Sequence, residues 1–215
     1  PLLKAGKNTI AVCVVKYSDG YYLEGQAYWR LAGIFVDVTL YAPPKTRLFD
    51  WYITTDLDEL YRDAKLNVAV DVKSYEATNA TYAVRATLTD AKGTKVKEMT
   101  TERFTINGKG KKSLNLASLV SNPAKWTAET PTLYDLKLEL LADGGKAIQQ
   151  ITRKMGFKET EIRHQTFYLN GKPIKVNAIN THMQHPELGH TMDEATIRKD
   201  MEILKQYNFN AVRIS

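Results

Sequence analysis

Cysteine is nearly absent from this sequence. Cys13 is the single cysteine in 215 residues, so no disulfide can form within the chain, and cysteine usage does not indicate a cellular compartment. Long apolar runs are also missing, since none approaches the roughly 20 residues of a membrane-spanning helix. The opening PLLKAGKNTI lacks the charged and apolar blocks of a signal peptide. We therefore expect no membrane partner, and the localisation stays open.

Positive charge is present but is not concentrated in one place. The formal charge is +6 at pH 7, yet basic residues alternate with acidic ones along the chain. No basic stripe and no motif that reads DNA or RNA accompanies the charge. We therefore expect no nucleic-acid partner.

Helix-forming runs are scarce before residue 193, whereas β-branched and aromatic residues are frequent, which predicts a mostly β chain. Residues 1–43 contain apolar runs, such as NTIAVCVVKY and VDVTLYA, that predict three or four strands. Pro43 and Pro44 end the segment, because proline cannot continue a central strand. These strands need a second sheet to cover them, so we interpret the region as the C-terminal part of a larger β-domain.

Residues 44–156 have the regular rhythm of a β-sandwich, with strand candidates separated by turn signals. The candidates are FDWYITTDL, KLNVAVDVKSY, YAVRATLTD, KVKEMTTERF, KKSLNLASL, TLYDLKLELL and AIQQITRKMGF. Seven strands in about 110 residues is the count of an immunoglobulin-like sandwich. The cysteine pair of antibody domains is absent, so the prediction concerns architecture alone.

Residues 157–215 predict the start of a different fold. The pair Asn170-Gly171 indicates a hairpin, and a later strand runs into a histidine-rich loop. Asp193 or Thr191 can cap a following helix. Its apolar positions, three or four residues apart, are Ile197, Met201, Leu204 and Tyr207. The strand FNAVRIS completes one β-α-β unit, the building block of a parallel sheet or barrel.

Three of the four histidines lie within nine residues of the loop. His182, His185 and His190 have the spacing H-x2-H-x4-H, with Glu187 between the last two. Zinc accepts imidazole and carboxylate ligands, but this irregular loop matches no known zinc spacing. The remaining interpretations are contact with a substrate and packing within the loop, and we expect no metal here.

Three stretches of the sequence resemble consecutive segments of glycoside hydrolase family 2. They are YYLEGQAYWRLAGIFVDVTLYA, then WTAETPTLYDLKLEL with MGFKETEI, then LNGKPIKVNAINTHMQHPELGHTMDEATIRKDMEILKQYNFNAVRIS. The resemblance implies an immunoglobulin-like β-sandwich flanked by the end of a sugar-binding jelly-roll β-domain and the first β-α-β of a (β/α)₈ catalytic barrel. Within the third stretch, THMQHPELGH is similar to the β-galactosidase branch, where a histidine is followed three residues later by His-Pro and then by a glycine.

The resemblance implies four substrate-binding residues. His182 and Asn180 would lie in the sugar pocket at the end of the first barrel strand, where an imidazole can hydrogen-bond sugar hydroxyls. Arg213 would face the catalytic carboxylates from the end of the second strand. His185 is the fourth candidate, although its neighbour Pro186 favours a role in shaping the loop.

The resemblance also bears on metals. Members of the β-galactosidase branch have an aspartate two residues before the tryptophan that corresponds to Trp29, and this aspartate contacts substrate and a sodium ion. Here the position is Ala27, which puts the sodium site in doubt. Trp29 could stack on a sugar, but core packing is the favoured role. Magnesium is expected only in the full enzyme, with ligands outside this chain, so we expect no cofactor in the chain itself.

A retaining glycosidase needs two carboxylates about 5–5.5 Å apart. The resemblance implies that both are glutamates on later barrel strands, beyond Ser215, so we expect no catalytic residue in this chain and no activity from it alone. The expected partners are a β-galactoside, the rest of the barrel and, in the full enzyme, further copies of itself.

Two alternatives stay open. One is a β-glucuronidase or β-mannosidase of the same family, which Ala27 keeps open. The other is a non-catalytic β-sandwich module that binds carbohydrate or protein through aromatic side chains exposed on a sheet face.

Overall fold

The computed structural model describes residues 3–24, 30–34, 36–182 and 184–214. The chain divides into two compact units. Tyr41–Asn177 forms one unit, and Pro1–Leu40 with Ala178–Ser215 forms the other. Strands predominate over helices, which confirms the predicted mostly β fold.

The unit 41–177 is built from eleven strands. They are β1 (Thr46–Leu57), β2 (Ala64–Ser74), β3 (Ala80–Thr89), β4 (Lys95–Thr100), β5 (Phe104–Ile106), β6 (Lys111–Val120), β7 (Tyr134–Leu141), β8 (Ala147–Met155), β9 (Thr160–Arg163), β10 (Thr166–Leu169) and β11 (Lys172–Pro173). One antiparallel sheet has the order β1-β2-β6. A second has the order β4-β3-β7-β8, with β5 also paired to β3. The last three strands form a separate sheet of order β11-β10-β9.

All seven predicted sandwich strands are present, with one difference. The segment 95–104 was expected as one strand and forms two, β4 and β5. Thr101 interrupts it, because its side-chain Oγ1 accepts a hydrogen bond from the Val84 amide (3.0 Å) while its own amide donates to the Val84 carbonyl (2.9 Å). The chain then rejoins β3 as β5.

The core lies between the two large sheets and follows from the period-two alternation of their strands. The inward positions of β2 and β7 are Leu66, Val68, Val70, Val72, Leu136, Leu138 and Leu140, and each is at most 2% exposed. Tyr134 closes one end of this core, where its ring meets Phe157 edge-on at 5.1 Å. Its hydroxyl accepts a hydrogen bond from the Ala124 amide at 2.8 Å, the backbone partner that a buried tyrosine needs.

Two tight turns shape the small sheet that follows the sandwich. Asn170 and Gly171 have φ of +50° and +74°, and the hairpin they make between β10 and β11 was predicted. His164 and Gln165 make a second such turn between β9 and β10, with φ of +46° and +64°. The second hairpin was not predicted, because His-Gln is not a residue pair that favours positive φ.

The other unit contains the predicted β-α-β element. Its strands are β12 (Ala178–Thr181) and β13 (Ala211–Ile214), which pair in parallel, and α2 (Glu194–Gln206) connects them. Asp193 caps α2 by accepting a hydrogen bond from the Thr196 amide at 2.7 Å. In the described ranges, no helix is both long and apolar enough to cross a membrane.

The strands expected in residues 1–42 are not found in the described part of that range. The described residues there contain one short helix, α1 (Asp19–Leu23), and no strand. Apolar side chains of this region are exposed, and those of Ile10, Val12 and Leu40 are 63–79% exposed. A strand needs a neighbour to satisfy its backbone groups, and no described strand pairs with this segment.

Candidate active-site strand pair

Asn180 and Arg213 lie side by side on the two parallel strands. The register pairs Asn180 with Arg213 and Thr181 with Ile214, so each pair lies about 4.8 Å apart across the strands. Successive side chains of a strand point to opposite faces, which puts Asn180 and Arg213 on one face. Both are exposed, near the C-terminal ends of their strands, the end at which barrel enzymes place their chemistry.

A cavity lies between the strand pair and α2. This cavity of about 280 Å³ is lined by Ile179, Asn180, Thr181, His182, Met192, Ile197, Asp200, Met201, Ile203, Leu204 and Ile214. Three of the predicted apolar positions of α2 therefore border it, on the side facing the strands. The helix is thus oriented as a βα crossover requires, with its apolar stripe against the sheet.

His182 follows directly after β12. It is exposed and lines the cavity together with Asn180, and its carbonyl accepts a hydrogen bond from the Thr181 hydroxyl at 3.2 Å. The structure therefore brings three of the four candidate residues, Asn180, His182 and Arg213, to the same end of the β-α-β unit.

His185 is tied into the loop that follows. Its Nδ1 accepts hydrogen bonds from the amides of Glu187 and Leu188, both at 3.1 Å. Its backbone exchanges two hydrogen bonds with Gly189, whose φ is +67°. Accepting these bonds leaves Nδ1 without a proton, so Nε2 carries the proton in the neutral ring. His185 thus fixes the shape of the loop, and Nε2 is the nitrogen it retains for any outside contact.

The helix α2 is fixed at both ends. At its start, the hydrogen bond from the Thr196 amide lowers the pKa of the Asp193 carboxyl. At its end, Asn208 takes φ of +62°. The amides of Asn208 and Phe209 then donate to the carbonyls of Lys205 and Leu204 at 3.0 Å each, the paired bonds of a Schellman motif.

The metal predictions can be compared with the structure only in part. Among the described residues, no group of three or more His, Cys, Asp or Glu side chains is arranged to hold a metal ion. Ala27 and Trp29, on which the sodium prediction and the stacking prediction rest, lie outside the described residues.

One buried charged residue was missed by the sequence analysis. Glu139 is 5% exposed, and its carboxylate binds Arg85 Nε at 2.9 Å and Lys137 Nζ at 3.4 Å. The hydrogen bond from Arg85 lowers the pKa of Glu139. A general acid needs a raised pKa, so this carboxylate is unsuited to that role. Glu139 occupies an outward position in the apolar and polar alternation of β7, and such a position predicts an exposed side chain. The sequence therefore did not reveal that Glu139 is buried.

Family models match the chain in three consecutive blocks. The model described as "Glycosyl hydrolases family 2, sugar binding domain" matches residues 1–44, and "Glycosyl hydrolases family 2" matches residues 46–158. The chain belongs to glycosyl hydrolase family 2. The model "Glycosyl hydrolases family 2, TIM barrel domain" matches residues 160–215. The middle block contains the whole eight-strand sandwich, and the third contains the β-α-β unit.

Curated members of the family resemble the chain along nearly its whole length. A Beta-galactosidase of Vibrio vulnificus (strain YJ016) is 41% identical over 221 residues, which cover 98% of this chain and 20% of that protein. A Beta-galactosidase of Vibrio cholerae is 39% identical over 220 residues, 99% of this chain and 21% of that protein. The chain therefore spans about a fifth of the length of these relatives.

Solved structures of family members have the same fold. A glycosyl hydrolase family 2 member from Bacteroides cellulosilyticus superposes with a TM-score of 0.72 at 23% identity, covering 79% of this chain and 23% of that one. Bacteroides uniformis beta-glucuronidase superposes with a TM-score of 0.72 at 23% identity, covering 80% and 22%. At such identities the likeness concerns the fold alone.

Proposed function

We propose that these residues are part of a retaining glycoside hydrolase that cleaves terminal β-D-galactosides. The support is the identity to proteins named Beta-galactosidase over almost the whole chain, together with the THMQHPELGH segment. The observation that carries the assignment of residues is the pairing of Asn180 with Arg213, with His182 directly after the same strand.

In this proposal the chain supplies groups that bind and orient, while the rest of the barrel supplies the two catalytic glutamates. The Asn180 amide and the His182 imidazole hydrogen-bond sugar hydroxyls, and these bonds strengthen as the oxocarbenium-like transition state forms. The Arg213 guanidinium orients a catalytic carboxylate through paired hydrogen bonds and keeps it ionised. His185 holds the loop beside them and is the weakest candidate for direct contact.

The metals implied by the resemblance belong to the same proposal. Magnesium takes its ligands from parts of the enzyme other than these 215 residues. The sodium site of the β-galactosidase branch lacks one carboxylate here, because Ala27 replaces the aspartate.

The test uses the full-length enzyme that contains this chain. His182→Ala should lower kcat/KM on an aryl β-galactoside by roughly ten- to a hundredfold, since a hydrogen bond made in the transition state is lost. His164→Ala, in the turn between β9 and β10, is the matched control and should leave kcat/KM unchanged. Equal kcat/KM for the His182→Ala variant and the wild type would remove His182 from the pocket.

A β-glucuronidase of the same family is the second candidate. Ala27 favours it, because the missing carboxylate removes a hydroxyl contact and a negative charge from the pocket expected of a β-galactosidase. A β-glucuronide differs from a β-galactoside in carrying a carboxylate of its own. Faster cleavage of the β-glucuronide than of the β-galactoside would favour this candidate.

A further inference from the structure

The outer face of the three-stranded sheet carries a row of three cations. Arg47 on β1 pairs with Lys73 on β2, and Lys73 pairs with Lys111 on β6. Arg47 and Lys73 each lie between two buried neighbours, and Lys111 lies directly opposite Lys73, so the three side chains point away from the core. Like charges directly opposite each other on neighbouring strands are destabilising. The row spans about 10 Å, which is two strand spacings. It therefore places positive charge on an outer face that a ligand can reach.

Two half-exposed aromatic rings accompany the row. Phe49 is 44% exposed and Tyr75 is 41% exposed. Phe49 is the extra residue of a β-bulge, because the register of β1 against β2 shifts between Leu48 and Asp50. A bulge re-aims side chains, and here it adds a ring to the outer face beside the cations.

The cations lie close to the rings. Lys73 Nζ is 4.7 Å from the centroid of Phe49 and 4.9 Å from that of Tyr75. The Arg47 guanidinium is 4.8 Å from the centroid of Tyr75. Such contacts stabilise a cation at a surface and hold the long side chains near the rings. The pKa of Tyr75 is lowered by a hydrogen bond from Lys73 and by the charge of Arg47, as expected in a positive field.

The positive charge is only partly neutralised. Lys111 binds the Asp71 carboxylate at 2.6 Å. Within the described residues, no carboxylate lies within 4.0 Å of Arg47 or Lys73. Beside them is a shallow depression of about 420 Å³ lined by Tyr41, Pro43, Lys45, Arg47 and Tyr75. Two cations, Lys45 and Arg47, and the rings of Tyr41 and Tyr75 therefore meet on this open surface.

We propose that this surface, formed by Arg47, Lys73, Lys111, Phe49 and Tyr75, binds an anionic polysaccharide. Its ligand is a sugar chain that carries sulfate or carboxylate groups. The cations bind the anionic groups by charge-assisted hydrogen bonds, and the rings offer flat apolar platforms for the C–H faces of the sugars. An acidic peptide would use the cations but would not require the rings.

Binding of defined polymers to the 215-residue chain tests the proposal. The probes are a sulfated galactan, polygalacturonate, a neutral galactan and poly-glutamate, titrated by calorimetry at low and at high salt. We expect binding to the two anionic glycans, weakened by salt because the contacts are exposed charges, and weaker binding to the other two probes. Binding to the sulfated galactan alone, or to polygalacturonate alone, identifies the anionic group and supports the proposal.

Two double variants separate the site from the net charge. Arg47→Gln with Lys73→Gln should weaken glycan binding roughly tenfold, the effect of losing two exposed charge contacts. Lys97→Gln with Lys146→Gln removes the same charge from exposed positions elsewhere on the sandwich, and should leave the affinity nearly unchanged. Circular dichroism confirms that both variants are folded. An equal loss in both double variants would overturn the proposal.

The rings separate a glycan from an acidic peptide. Phe49→Ala should weaken binding of the anionic glycan and leave any weak binding of poly-glutamate as it is. Binding of poly-glutamate as tight as that of the glycans, binding of the neutral galactan as tight as that of the charged one, or no binding of any glycan would each overturn the proposal.

Discussion

At the scale of single residues, the buried ion pair of Glu139 has a consequence for stability. Its carboxylate is 5% exposed and binds Arg85 and Lys137. Glu139→Gln should lower the free energy of unfolding by about 2 kcal/mol, the usual value for a hydrogen bond to a charged group. Thermal or urea unfolding at neutral pH measures this, and Glu102→Gln, at an exposed position, should have almost no effect.

The same carboxylate predicts a dependence of stability on pH. The pKa of Glu139 is lower in the folded state than in the unfolded state, chiefly because Arg85 donates a hydrogen bond to it. Its contribution is therefore present above the unfolded pKa, about 4.3, and is lost as the pH falls through the folded pKa. The Tm of wild type should fall more steeply than that of Glu139→Gln below about pH 4. Parallel curves for the two proteins would contradict this assignment.

Gly171 is constrained by its backbone and by a neighbouring ring. Its φ is +74°, and a Cβ added there would lie 2.4 Å from a ring carbon of Tyr61. Gly171→Ala should cost about 3 kcal/mol, the sum of the left-handed backbone penalty and the overpacking. Gly144→Ala is the matched control, because φ is +79° there and nothing lies within 4 Å of the added Cβ. Gly144→Ala should lower the free energy of unfolding by only about 1 kcal/mol. Equal losses in the two variants would show that the Tyr61 ring moves aside without a loss of stability.

Tyr61 explains why that clash matters. Its hydroxyl hydrogen-bonds the Glu161 carboxylate, which raises the pKa of the tyrosine, and it accepts a bond from Arg163 at 3.4 Å. The turn between β1 and β2 is thereby fastened to β9. Displacing the ring of Tyr61 would weaken the contact between the sandwich and the small sheet that follows it.

At the scale of elements, the turn between β9 and β10 is formed by residues that do not favour its conformation. His164 and Gln165 both have positive φ, which asparagine and glycine adopt more readily. Replacing the pair by Asn-Gly, as found in the next hairpin, should stabilise the chain by about 1 kcal/mol. Urea unfolding measures the change, and a lower midpoint in the variant would mean that His164 or Gln165 makes a contact worth more than the turn strain.

Much of the architecture could be predicted because it depends on local patterns. The alternation of apolar residues in LNVAVDV and LYDLKLELL locates two central strands, and Asp193 with the apolar spacing behind it locates α2. The features that were missed depend on the register between strands. Glu139 is buried by side chains from neighbouring strands, and the row Arg47, Lys73 and Lys111 exists only once three strands are aligned.

The substrate-binding roles of Asn180, His182 and Arg213 stay predictions, and all three come from the family resemblance. Their common location follows from a parallel pairing that no local pattern specifies. The prediction of strands was wrong for the described residues of 1–42 for a related reason. An apolar run becomes a strand only when another strand lies beside it.

At the scale of the whole molecule, the 215-residue chain should hydrolyse no aryl β-galactoside. In the proposed function, Asn180, His182 and Arg213 bind and orient the substrate. A retaining mechanism also needs two carboxylates about 5–5.5 Å apart, and the proposal assigns both to the rest of the barrel. A sensitive fluorogenic assay of the purified chain checks this. Turnover above that of a heat-denatured control would mean that acids within the chain act in catalysis.

The most direct test of the central claim is the substrate preference of the full-length enzyme that contains this chain. Values of kcat/KM should be measured side by side on the aryl β-galactoside, β-glucuronide and β-mannoside with the same leaving group. The proposed function predicts that the galactoside is preferred by roughly a hundredfold or more, since a pocket built to hydrogen-bond particular hydroxyls rejects sugars that lack them. Preferential cleavage of either other glycoside, or cleavage of none, would contradict it.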